Sequence, residues 1–199
     1  MIRWIALLAA VFVCPTLLAS DAKVPRDGQE LVGTRMPALK FDRWIGTAGG
    51  KPLDVAGRPV LYRWWTSGCS FCAATLPAIE TLRTKYEPKG LKVVAVFHPK
   101  PPREVSAETV REAARKIGFN GVVAADDSWS QLKRVWLTEE RPATSVSFLV
   151  DAKGVIRFVH PGTTFYPSDD PEHAKENEAY RALEATTEKV LAEAKEDRK

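Results

Sequence analysis

Trp64-Trp65-Thr66-Ser67-Gly68-Cys69-Ser70-Phe71-Cys72 is the stretch whose reading decides the fold. Upstream of it, Pro59-Val60-Leu61-Tyr62 is apolar and opens a buried strand that runs through Trp65. Downstream, Ala73-Ala74-Thr75-Leu76-Pro77-Ala78-Ile79-Glu80-Thr81-Leu82 has the spacing of a helix. Two cysteines spaced C-x-x-C therefore fall where a strand hands over to a helix. Residues i and i+3 of a helix share one face about 5–6 Å apart, within reach of a disulfide after a small adjustment. The helix start also offers unpaired N–H groups and a positive dipole end, which favour a thiolate over a thiol. Thiolate is the species that attacks disulfides, and such sites lower a cysteine pKa from about 8.5 to roughly 3.5–7.5.

Strand, then W-x-x-x-C-x-x-C (Trp65, Cys69, Cys72), then helix resembles the thioredoxin fold. More narrowly it is similar to the TlpA-type branch of thioredoxin-like redoxins related to the AhpC/TSA group. Pro77, five residues after Cys72, stands where this fold commonly kinks its active-site helix, and Leu31-Val32-Gly33-Thr34-Arg35-Met36-Pro37 resembles the family's "VGxxxP" entry. The resemblance covers roughly Leu31 to Gly162. It implies an α/β protein: a central mixed sheet flanked by helices, with an N-terminal extension and a long C-terminal helix. It also distinguishes the redox pair from half of a zinc site, since a second C-x-x-C is missing.

The 199 residues support one domain, residues 23–199, and the apolar share of 45% with a charged share of 27% is that of a soluble globular protein. The net charge is +4, but Lys and Arg are scattered among Asp and Glu and form no nucleic-acid patch. Residues 1–22 differ in kind. Arg3 precedes an apolar run from Trp4 to Leu18, and Ala19-Ser20-Asp21-Ala22 offers small residues for cleavage, the pattern of a secretory signal. The run is shorter than the ~20 residues needed to span a bilayer, so a retained membrane anchor is the alternative. The expectation is a periplasmic or otherwise exported protein. Cleavage would discard Cys14 and leave Cys69 and Cys72 as the only cysteines, which in an oxidising compartment argues for redox chemistry.

Along the chain, Trp44 to Leu53 is expected as a short hairpin or edge, with a turn at Gly49-Gly50-Lys51-Pro52. Val60–Trp65 and Leu91–Phe97 read as central strands, the active-site helix runs to Tyr86, and Val110, Ala113, Ala114 and Ile117 mark a second helix. Gly121–Asp126 is a third strand. Ser128 is expected to cap a helix carrying Trp129, Leu132 and Trp136 inward. Ser145–Val150 and Val155–His160 form a closing hairpin around Asp151-Ala152-Lys153-Gly154, and a charged helix follows Glu172.

In the chemistry that the resemblance implies, Cys69 is the nucleophile and Cys72 resolves the mixed disulfide, with no cofactor. A purely structural disulfide closing so small a loop would contribute little. Trp65 matches the aromatic that flanks the cysteine loop. Since strand neighbours point to opposite faces, one of Trp64 and Trp65 is expected to be the more exposed. The family usually sets a cis-proline before the strand that faces the cysteines, in a context such as P-T-x-F-L-x-D. Here Phe148-Leu149-Val150-Asp151 fits its end, but Ser145 stands at the proline position and Pro142 lies three residues earlier. Either Pro142 takes the role through a longer loop, or Ser145 does so in a trans peptide. Trp65 and Ser145 are accordingly the candidate substrate-binding residues.

His98 and His160 each precede a proline at a strand end on the cysteine side, where they would tune a thiol or move a proton; a copper or zinc site with the two cysteines is the metal-delivery alternative. A thiol peroxidase is the other alternative. Peroxiredoxins also lack the proline, placing an arginine there, and carry P-x-x-x-T-x-x-C. Thr66 matches that pattern but Tyr62 replaces its proline. The partners that follow are cysteine-containing exported proteins and a redox partner that recycles the disulfide; no nucleic acid is expected, and a membrane only if the N-terminal segment is retained.

Overall fold

The computed structural model describes residues 27–197, so the leader lies outside the described residues. In chain order the elements are β1 (Arg43–Ile45), β2 (Val60–Trp65), α1 (Ser70–Tyr86), β3 (Lys92–Phe97), α2 (Ala107–Lys116), β4 (Val122–Ala125), α3 (Ser130–Val135), β5 (Val146–Val150), β6 (Ile156–Pro161) and α4 (Ala174–Glu196). The strands make one six-stranded sheet in the order β1-β4-β3-β2-β5-β6. β2, β3 and β4 run parallel, joined by the helical crossovers α1 and α2, while β5, β6 and β1 pair antiparallel with their neighbours. This is the mixed α/β sheet that the strand and helix patterns imply. No helix among the described residues is long and apolar enough to cross a membrane.

β2 lies at the centre and all six of its residues are buried. A strand with both faces covered reads as a continuous run rather than an alternating one, which is why Val60–Trp65 carries almost no polar residue. Leu61 and Trp65 enter the core built by α1 and α4, among them Leu76, Ile79, Leu82, Leu183 and Val190. Val60, Tyr62 and Trp64 enter the opposite core with Leu132, Trp136 and Phe148. The expected difference between the tryptophans is therefore overturned: both are 0% exposed. Alternation sends them to opposite faces, but both faces are covered.

Of the two forms expected for Trp44–Leu53, the edge is the one found: Arg43–Ile45 pairs as an edge strand on β4, and no hairpin forms there. One local expectation is also corrected. Ser128 does not cap α3. The helix starts one residue later, with Trp129 at its N-cap, and the buried carboxylate of Asp126 accepts from Gln131 N at 3.1 Å and Leu132 N at 2.8 Å. Asp126 serves the same end as a capping side chain, reaching back from the last turn before the helix, and it accepts from Trp64 Nε1 at 3.2 Å as well. α4 lays Tyr180, Leu183, Val190 and Leu191 onto the core. Its outer side is tied down by Arg157 on Glu193 at 2.6 Å and by Tyr86 Oη on Glu188 at 2.6 Å.

Candidate active site

The loop between β2 and α1 turns at Gly68, whose φ of +74° lies in the left-handed region that glycine enters without strain. Cys69 then becomes the N-cap of α1: its Sγ accepts the Cys72 N–H at 3.3 Å, the role a serine or aspartate oxygen usually fills. The Cys72 Sγ–H donates to Cys69 Sγ at 2.7 Å, and Ser145 Oγ lies 3.2 Å from Cys72 Sγ. The pair is a free dithiol with Cys69 half-buried and Cys72 fully buried. The first turn of α1 holds no acidic residue to oppose an anion.

These contacts split the two thiols. Burial alone would raise the Cys69 pKa, but hydrogen bonds from the Cys72 thiol and N–H, the Ser145 hydroxyl and the charge of Arg63 outweigh it and hold the value below the ordinary thiol range. Burial and the donation to Cys69 push the Cys72 thiol up, only partly opposed by Ser145, the Thr66 backbone and Arg63. The outer sulfur is thus the easier thiolate and the inner one holds its proton.

Of the other residues singled out in the sequence, Ser145 stands directly behind the sulfurs. Pro142 is exposed, and the cis peptide among the described residues is Lys100–Pro101, so the bond before Ser145 is trans. Trp65 is sealed beneath the cysteine loop with its ring edge-on to Phe97 at 5.0 Å, forming the floor of a groove. That groove, about 510 Å³, is walled by Thr66–Ser70 and Ala73 on one side and by Ala113, Lys116 and Ile117 of α2 on the other. Phe71, two residues after Cys69, is 55% exposed.

The histidines separate. His98 packs edge-on against Trp129, in the cluster on the face away from the cysteines. His160 lies on the cysteine face against Phe165, with ring centroids 4.8 Å apart. Neither is hydrogen-bonded to a sulfur among the described residues. Burial, then the charge of Lys100, lowers the His98 pKa to about 3, with the Thr144 backbone offsetting part of this and Arg63 adding a little. Burial, then Arg63, lowers His160 to about 4. Both rings are neutral at pH 7 and weak as bases. No group of three or more His, Cys, Asp or Glu side chains among the described residues is arranged to hold a metal ion.

Sequence reasoning missed Arg63. It is 0% exposed on the central strand, donates from Nη1 to Ser147 Oγ at 3.2 Å, and acts electrostatically on both sulfurs. The signal was available: Arg63 is the one charged residue in the run Val60–Trp65, whose neighbours on both sides are apolar.

Over 92 residues the chain is 25% identical to the thiol-disulfide oxidoreductase ResA of Oceanobacillus iheyensis, covering 46% of this chain and 47% of that protein. It is 31% identical over 110 residues to the thioredoxin-like protein YneN of Bacillus subtilis, covering 55% of this chain and 60% of that protein. The chain thus spans about half of these relatives' lengths. Among solved structures, a thiol-disulfide isomerase from Corynebacterium glutamicum superposes with a TM-score of 0.57 at 19% identity, covering 78% of this chain and 96% of that one. A protein proposed to be the thiol:disulfide interchange protein DsbE of Chlorobium tepidum gives 0.60 at 21%, covering 80% and 97%. At these identities the superpositions speak for the thioredoxin-like fold. The redoxin family profile matches residues 31–180, three quarters of the sequence and the whole sheet, so the chain belongs to the redoxin family.

Proposed function

We propose that this redoxin is an exported thiol–disulfide oxidoreductase that works through Cys69 and Cys72. The observation that carries the reading is the asymmetric pair: two free sulfurs 2.7 Å apart, the outer one capping a helix and opening on a groove, the inner one buried behind it. The relatives named as thiol-disulfide oxidoreductases support the same chemistry. The leader pattern of residues 1–22 supports export, and the substrates are cysteines of other exported proteins.

In the reducing direction the Cys69 thiolate attacks one sulfur of a partner disulfide. The Cys69–partner S–S bond forms, the partner's own S–S bond breaks, and the leaving sulfur departs as a thiolate that takes up a proton. Cys72 then gives up its proton, which ends on the partner sulfur that departs from Cys69, and attacks Cys69 Sγ. The Cys69–Cys72 bond forms, the mixed disulfide breaks, and the partner has gained the two electrons that the dithiol gave up. The order runs backward when the protein oxidises a partner. Burial of Cys72 suits the second step, because its thiol stays protonated and unreactive toward outside disulfides until the mixed disulfide lies against it. Ser145 Oγ is placed to hydrogen-bond whichever sulfur carries charge.

Insulin reduction and exchange with glutathione test this. Cys69→Ser is expected to remove exchange altogether, and Cys72→Ser to accumulate a mixed disulfide at Cys69 detectable by mass. Retained exchange in Cys69→Ser, or hydrogen peroxide turnover far outpacing disulfide exchange, would overturn the assignment, the second outcome favouring a thiol peroxidase.

A further inference from the structure

Arg63 lies two residues before Trp65 on β2 and so faces the same side of the sheet as Trp65 and Cys72. Its cross-strand partner on β5 is Ser147, and the partner of Ser147 on β6 is His160. Registered residues point to one face, so a polar row, Arg63–Ser147–His160, crosses a surface otherwise made of Leu61, Ala95, Val123 and Leu149. Phe165 covers the row, its ring centroid 5.8 Å from Arg63 Cζ and 4.8 Å from the His160 ring.

The guanidinium is left short of partners. Nη1 reaches Ser147 Oγ, but Nε and Nη2 have no hydrogen-bond partner among the described residues. The negative groups that act on it are the sulfurs of Cys72 and Cys69. Removing a cation from water is costly unless an anion compensates. The dithiol is the group on this face that acquires negative charge during the reaction. Ser147 on β5 and Ser145, one residue before that strand begins, link the two ends: one is bonded to Arg63, the other lies 3.2 Å from Cys72 Sγ.

We propose that Arg63 is a positioning residue of the exchange reaction, the buried counter-charge of the Cys69–Cys72 thiolate, which biases the couple toward its reduced form and makes the disulfide a stronger oxidant than the same C-x-x-C without it. This rests on the oxidoreductase reading above. In the oxidising direction the Cys69–Cys72 bond breaks and takes two electrons from a substrate dithiol, whose S–S bond forms. Of the two protons released, one goes to Cys72 and the other to solvent, because Cys69 remains a thiolate. Arg63 keeps its own protons throughout and acts by charge. The other groups facing the thiolate are the Cys72 thiol and N–H, Ser145 Oγ, and Lys116 across the groove on α2. His98 and His160 are neutral at pH 7.

The test measures thiolate absorbance at 240 nm against pH in the reduced full chain, and the equilibrium of the Cys69–Cys72 couple with glutathione. Wild type is compared with Arg63→Met, Arg63→Gln and Arg63→Lys. The neutral variants are expected to hold about tenfold less thiolate at a pH below the wild-type midpoint. Their equilibrium constant should move about tenfold toward the disulfide, a potential about 30 mV more negative, and Arg63→Lys should fall nearer wild type. A folded Arg63→Met protein that titrates and equilibrates as wild type overturns the proposal. Loss of folding in both neutral variants would assign the charge to the fold rather than to the couple and would overturn it equally. A wild-type couple that fails to exchange with glutathione would count against the oxidoreductase reading instead, and the thiolate titration still reports on Arg63.

Discussion

Each face of the central sheet seals a charged side chain completely from solvent, and the two are treated in opposite ways. On the face of Trp64, Asp126 is 0% exposed and accepts three hydrogen bonds, from Trp64 Nε1, Gln131 N and Leu132 N. On the face of Trp65, Arg63 is equally buried and makes one hydrogen bond, with two of its nitrogens unpartnered. A fully satisfied buried carboxylate fixes structure: it joins strand to helix and sets where α3 begins. A buried cation left short of partners fixes nothing so well, and it lies on the side where the cysteines are. Satisfied charge marks architecture here, and unsatisfied charge marks chemistry.

Each face also holds one buried neutral histidine, and acid gives the largest expected effect. A histidine with a folded pKa of about 3 (His98) or about 4 (His160) binds fewer protons folded than unfolded below its ordinary 6.5. The stability due to its neutral form is therefore fully present above pH 6.5 and is lost as pH falls through the folded value. Urea unfolding midpoints should hold steady at neutral pH and fall between pH 6.5 and 4, with roughly 3 kcal/mol lost from His160 alone. Because Arg63 contributes to the depression of His160 more than to that of His98, Arg63→Met should soften this acid limb. An unchanged limb in that variant would separate the two ends of the polar row.

Asp126→Ala comes next. It strands the indole N–H and two helix N–H groups in a closed core, and it should lower stability by roughly 3 kcal/mol in denaturant unfolding. A loss below about 1 kcal/mol would show that the contrast between the faces is wrong. Arg63→Met provides the opposite arm. Replacing a poorly compensated buried cation with an apolar chain of similar length is expected to leave stability unchanged or raise it by about 1 kcal/mol. Destabilisation as large as that of Asp126→Ala would make the two charges equivalent. The smallest effect is expected at Phe71, 55% exposed beside the nucleophile: Phe71→Ala should change stability by less than about 0.5 kcal/mol. Any consequence should show instead in the KM for a cysteine-containing peptide.

Much of the site is legible in the sequence. The strand–loop–helix passage around Cys69 and Cys72 is local, and the limits of β2 and the end of α1 at Tyr86 follow from runs of apolar residues and the Pro88-Lys89-Gly90 stop. Ser145 stood out because its distance from Phe148 placed it opposite the cysteines, and it lies 3.2 Å from Cys72 Sγ. The reading failed where a side chain's surroundings depend on what covers a face. Trp64 and Trp65 were expected to differ in exposure, but the α1–α4 layer and the α3 layer close over both. His98 was grouped with the sulfurs because its strand ends near them, yet one residue past Phe97 the pleat turns the ring toward Trp129. Ser128 had the composition of a cap, and Asp126 took the role from two residues earlier because its carboxylate could reach both helix N–H groups and Trp64.

The sequence by itself determined the parts that depend on neighbours along the chain. These are the order of strands and helices, the placing of two cysteines one helical turn apart at a helix start, and thus the kind of bond they can make and break. Only the tertiary structure decided what surrounds that pair. Strand register aligned Arg63 with Ser147, 84 positions away, and Ser147 with His160, and the packing of α1 and Phe165 shut water out of the row. A charge's effect on a nearby sulfur depends on distance and on the absence of water between them, and both are set when the sheet and its covering helices come together.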